Sequence, residues 1–108
     1  MARLQLRNIT CTKKQDSISP DQPYIMLNGT KVYSGTGFKK NDSRNLQTTE
    51  PFQFSNLVRM ELYEGDRGSR DDFLGEATID DTPRGQKSVR FNERAGADYE
   101  IFYEVLED

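Results

Sequence analysis

Between residues 57 and 64 the chain alternates: Val58, Met60 and Leu62 fall on one face, with Arg59, Glu61 and Tyr63 between them. A period of two marks a half-buried strand. Residues 3–11 read as an earlier strand with a fault in it. Leu4 and Leu6 share one face, Ile9 and Cys11 the other, and the phase switches near Arg7 and Asn8. That pattern predicts a β-bulge or a strand apolar on both faces. Residues 13–22 are a polar loop, after which Pro23 opens a strand over 24–27. Asn28-Gly29 then predicts a two-residue hairpin, since both turn positions need positive φ. The return strand covers 30–34. Residues 35–51 are rich in Gly, Asn, Lys and Thr. A structureless loop of that length is unusual in a small domain, so a short edge strand near 45–49 is expected within it. Phe52 and Phe54 mark another strand. A hairpin follows over 57–79, then a loop over 80–87 containing Pro83 and Gly85. A strand over 88–91, a turn region over 92–98 and a last strand over 99–106 complete the chain. No window holds a helical period. Seven or eight short strands with turn signals between them predict an all-β fold, an antiparallel β-sandwich forming one domain over residues 1–108.

Composition narrows the picture. Leu, Ile, Val and Phe number 23 of 108 residues, about a fifth and close to the limit below which chains fail to fold. A small core of modest stability is expected, helped by a bound ion if there is one. The net charge is −3, from 15 basic and 18 acidic residues. A balance that mixed argues against nucleic acid as a partner. There is no His, which removes the commonest general base and transition-metal ligand. The lone Cys11 permits no internal disulfide and sits where a small core residue belongs. Neither a signal peptide nor a transmembrane run is visible, so a cytoplasmic protein, or one exported without a classical leader, is expected.

The chemistry concentrates in Glu64-Gly65-Asp66-Arg67-Gly68-Ser69-Arg70-Asp71-Asp72-Phe73-Leu74-Gly75. Turn residues let this loop fold back, bringing Glu64 and Asp66 near Asp72. Two carboxylates about 4 Å apart repel by roughly 4 kcal/mol at an effective dielectric near 20. Arginines, protons or a metal must relieve that repulsion. Oxygen donors on an irregular loop suit a hard cation, Ca²⁺ above all.

These residues resemble a known family. Glu64-x-Asp66-x-x-Ser69-x-x-Asp72-Phe73-Leu74-Gly75 is similar to the third calcium-binding loop of C2 domains. Asp16 through Asp21-Gln22-Pro23-Tyr24 resembles the family's first loop. The chain also resembles a divergent bacterial C2-like set with a closing Ala-Asp-Tyr-x-x-x-Tyr-x-Val element, here Ala97 to Val105. Glu64 stands where Asp is usual, Asp16 and Asp21 are one residue closer than usual, and Gln22 is inserted before the proline. The resemblance implies a calcium-binding β-sandwich. Its metal ligands would be Asp66, Asp72, Glu64, Asp21 and Asp16, completed by the Ser69 hydroxyl and carbonyls at Arg67 or Gln15. Asp71 is expected to point outward or to pair with a basic residue. Lys39, Lys40 and Arg44 resemble a basic strand that some C2 domains use for anionic lipid; a solvated charge run is the plainer reading.

A binding module follows as the expectation: one or two Ca²⁺ ions held at one end, bridging to an anionic partner, either protein or membrane surface. The 67–70 tip, Arg-Gly-Ser-Arg, carries nothing apolar, so deep membrane insertion is not expected. The alternative is a metal-independent structural or protein-interaction sandwich, its acidic loop tied down by Arg67 and Arg70. An enzyme is not expected, because no nucleophile–base pair and no phosphate-cradling glycine loop is visible.

Overall fold

The computed structural model describes residues 1–13, 22–65, 71–92 and 97–107. They form nine strands: β1 Ala2–Lys13, β2 Pro23–Leu27, β3 Thr30–Ser34, β4 Ser43–Asn45, β5 Phe52–Phe54, β6 Leu57–Glu64, β7 Asp72–Asp80, β8 Arg84–Phe91 and β9 Asp98–Glu107. One sheet runs β4-β1-β9-β8, with β5 also on β1; the other runs β3-β2-β6-β7. Every pairing is antiparallel. The fold is the predicted antiparallel β-sandwich, with nine strands among the described residues rather than the expected seven or eight.

The phase fault in β1 is a bulge. Leu6 lies opposite Tyr103 and Asn8 opposite Phe102, so Arg7 is the extra residue. One added residue flips the alternation. Leu4, Leu6, Ile9 and Cys11 therefore all reach the core, each at most 1% exposed. Arg7 is left outside, where it pairs with Glu104. The Asn28-Gly29 turn forms as expected, with φ of 48° and 83°. Its Asn28 side chain also accepts the Arg59 N–H at 2.8 Å, tying the turn to the start of β6.

Several strand boundaries differ from expectation. The edge strand is Ser43–Asn45 rather than 45–49. β4 and β5 are two pieces of one edge strand along β1, interrupted at 46–51. β8 begins at Arg84, inside the expected loop, because a register irregularity between Arg84 and Lys87 lets Gly85 and Gln86 stay extended. β1 and β9 each run past their predicted limits, since their mutual pairing extends from Ala2 opposite Glu107 to Lys13 opposite Asp98.

Two buried residues come from the polar stretch between 35 and 51. Phe38 and Leu46 are 0% and 1% exposed. Phe38 packs tilted on Tyr99, with ring centroids 6.2 Å apart, and the Arg44 guanidinium lies 4.2 Å above its ring. Gly35 makes room for it, since a Cβ there would stand 2.5 Å from Phe38 Cε1. The segment between β3 and β4 thus crosses from one sheet to the other and plugs the upper part of that side. Along the opposite side, β7 and β8 approach one another. Gly75 in β7 has φ of 149°, and a Cβ there would stand 2.8 Å from the Phe91 ring of β8.

Candidate functional site

The end of β6 and the starts of β2 and β7 meet at one end of their sheet, as the pairs Pro23–Glu64 and Glu64–Asp72 require. In the other sheet the end of β1 meets the start of β9 at Lys13–Asp98. Gly75 against Phe91, itself opposite Tyr99, brings these ends to one pole of the sandwich. The inward row of β6 is Val58, Met60, Leu62 and then Glu64, exposed by 0, 0, 0 and 2%. Strand alternation that carries three apolar side chains inward carries a carboxylate inward at the next step. Among the described residues Glu64 is the one buried charged residue. Burying a carboxylate is costly unless polar groups surround it. The Gln22 N–H donates to Glu64 Oε1 at 3.2 Å, and the Gly65 N–H donates to the Gln22 carbonyl at 2.9 Å. The β2–β6 ladder therefore continues one step past the strands and delivers a donor to the acid.

Asp72 lies directly opposite Glu64 across the β6–β7 pair and is half-buried. Two of the six predicted ligands are thus brought together. Asp16, Asp21, Asp66 and Ser69 lie outside the described residues, as do Gln15, Arg67 and Arg70. Among the described residues no three His, Cys, Asp or Glu side chains cluster as a metal site. The donors that are placed, Glu64 and Asp72, are hard oxygens, which suits a cation such as Ca²⁺ rather than a soft metal.

Asp71 is exposed, the outward placement expected of it, and a tyrosine hydroxyl reaches it. The Tyr24 hydroxyl donates to Asp71 Oδ2 at 2.5 Å. Tyr24 stacks on Tyr63 with centroids 5.2 Å apart and planes 8° from parallel, and Phe73 packs tilted on Tyr63 at 5.3 Å. The Lys31 ammonium sits 4.3 Å above the other face of Tyr24. Register explains this row: Tyr24, Tyr63 and Phe73 are neighbours across β2, β6 and β7 on the outward face. The period-two pattern held this signal, because residues between inward positions share the outer face. A second pole acid, Asp98, accepts hydrogen bonds from Nε and Nη2 of Arg90, at 2.9 and 2.6 Å. Nothing in the local spacing flagged that pair.

Burial pushes the Tyr24 phenol well above its ordinary value, and the hydrogen bond and charge of Asp71 push it further. Tyr63 is also raised, by burial first and then by Glu61. A folded tyrosine that holds its proton more tightly than an unfolded one stabilises the fold in full below about pH 10. That stabilisation is lost as pH rises through the folded value. Asp71→Asn is expected to move the Tyr24 titration down toward the ordinary range, read as an earlier rise of phenolate absorbance that Tyr24→Phe abolishes. An unchanged titration would show that Asp71 has no hold on the ring.

Neither a protein-family model nor a curated protein matches the sequence. Solved structures do match. The chain superposes on a C2 domain structure with a TM-score of 0.56 at 16% identity, covering 97% of this chain and 96% of that one. It superposes on the C2A domain of plant extended synaptotagmin 1 with a TM-score of 0.61 at 9% identity, covering 99% and 94%. It also matches human GIVD cytosolic phospholipase A2, solved with methyl gamma-linolenyl fluorophosphonate and terbium chloride, at a TM-score of 0.65 and 17% identity. That match covers 99% of this chain but 17% of the phospholipase. The chain is a C2-like β-sandwich.

Proposed function

We propose that this domain is a non-enzymatic Ca²⁺-binding module that docks onto an anionic partner through its loop pole. The observation that carries the reading is the register of Glu64 against Asp72, with Glu64 turned inward at the end of an otherwise apolar row. A carboxylate in that position costs stability unless positive charge or hydrogen bonds offset it. Glu64 and Asp72 would hold the ion, with Asp66, Asp21, Asp16 and the Ser69 hydroxyl as the further ligands that the C2 resemblance implies. A bound Ca²⁺ supplies positive charge and open coordination positions to which an anionic group can attach. The chain's part is to hold the donors: the β6–β7 pairing fixes Glu64 against Asp72, and Tyr24 ties Asp71 to the face of β2. Likeness to C2 domain structures supports the same reading at the level of fold.

A metal-independent interaction domain is the second reading. It is favoured by the bonds that already engage two of the acids, Gln22 N–H to Glu64 and Tyr24 hydroxyl to Asp71. Isothermal calorimetry separates the two. Titration of CaCl₂ into chelator-treated protein is expected to show saturable heat that Asp72→Asn weakens at least about tenfold, a loss of roughly 1.4 kcal/mol. Absence of heat from the wild-type protein favours the second reading.

A further inference from the structure

The lower half of the side opposite β7 and β8 is not closed. A cleft of about 710 Å³ lies there between the two sheets. Thr30, Lys31 and Val32 of β3 form one wall, residues 49–53 the other, and Arg3 of β1 joins the lining. Side chains of a strand alternate between faces. A cleft lined by three consecutive residues of β3 and five consecutive residues around β5 therefore looks onto strand edges, not onto either sheet's face. Each of these strands is paired on one side among the described residues, β3 with β2 and β5 with β1. Val32 and Phe52, half-buried and packed against the core, give the cleft an apolar floor.

Two features choose between the edges. Pro51 lacks an N–H, which spoils the 49–53 wall as a pairing edge. β3 contains no proline and keeps its donors. Two further features choose the partner. Lys31 is exposed and makes no ion pair among the described residues; its ammonium rests on the Tyr24 ring. The one acid of the lining, Glu50, stands on the opposite wall, and Arg3 is engaged by the Glu107 carbonyl. A lysine on an open edge repels a second copy of the same edge and attracts an acidic strand. We propose that this cleft receives an extended peptide segment of alternating acidic and apolar residues, paired along β3, its carboxylates toward Lys31 and its apolar side chains on Val32 and Phe52. Such edge addition takes affinity from the main chain and selectivity from alternate side chains. The site uses neither Glu64 nor Asp72 and does not depend on calcium.

The test is NMR titration of the chain, in chelator, with acetyl-Glu-Val-Glu-Val-Glu-amide, its lysine counterpart, and the acidic peptide N-methylated at both valines. The acidic peptide is expected to shift amides of 30–32 and 49–53. The lysine peptide and the N-methylated peptide are expected to bind at least tenfold more weakly. Lys31→Glu is expected to reverse the preference between acidic and basic peptides, with its melting midpoint near that of the wild-type protein as the check on folding. Equal binding by the acidic and lysine peptides overturns the proposal, as does equal binding by the N-methylated peptide. Shifts confined to 22–24 and 64–72 overturn it too. If inorganic phosphate shifts the same amides as strongly as the acidic peptide, the site takes a small anion and the peptide reading is overturned.

Discussion

Calcium is expected to raise the melting midpoint of this domain by about 10 °C or more over its value in chelator. A ligand at about 100 times its Kd stabilises the folded state by roughly 2.7 kcal/mol, and each kcal/mol moves the midpoint of a domain this size by about 4–8 °C. The effect should be large because the unliganded pole is a place of electrostatic cost. Glu64 is buried, Asp72 stands across from it, and the sequence puts Asp66 between them in the same loop. Asp72→Asn removes one charge from that group. In chelator it is expected to leave the midpoint unchanged or slightly higher, since repulsion is relieved; in calcium it is expected to lose most of the increment. The opposite pattern, equal midpoints with and without calcium for both proteins, would remove the reason to read the pole as a metal site.

Phe38→Ala is expected to be the most damaging single substitution in the segment between β3 and β4. The ring is fully buried, faces Tyr99 on one side and carries Arg44 on the other. Truncating a buried phenylalanine costs about 3–5 kcal/mol, and a domain of this length has about 5–15 kcal/mol in total. The midpoint should fall by at least about 12 °C. Phe38→Leu, which refills most of the volume, should recover more than half of that loss. A fall of under about 5 °C for the alanine variant would show that the plug between the sheets is dispensable.

Phe38 also marks where the sequence stops being legible. Strands with one buried face declare themselves, as Val58, Met60 and Leu62 do, because a sheet of fixed pleat must alternate. The Asn28-Gly29 turn declares itself because few other residue pairs accept two positive φ values. The bulge at Arg7 was visible as a phase change. Phe38 and Leu46 follow no period. They are single anchors on an irregular segment, and the ring that packs on Phe38 is Tyr99, far away in sequence. The site divides in the same way. The hairpin from β6 to β7 made the meeting of Glu64 and Asp72 readable, since one loop joins them. The inward direction of Glu64 was present in the alternation, yet a carboxylate in a strand reads by chemistry as solvent-facing. Asp71 shows the limit from the other side: nothing near it in sequence pointed to Tyr24, which the fold brings to it from 47 positions away.

The pairing of β1 with β9 governs how the domain must assemble. Ala2 stands opposite Glu107, so β1 finds its central neighbour only after β9 has been synthesised. Contacts that distant in sequence make folding slow. During translation, one flank of the nascent β1 stays open to whatever chaperone or stray strand meets it first.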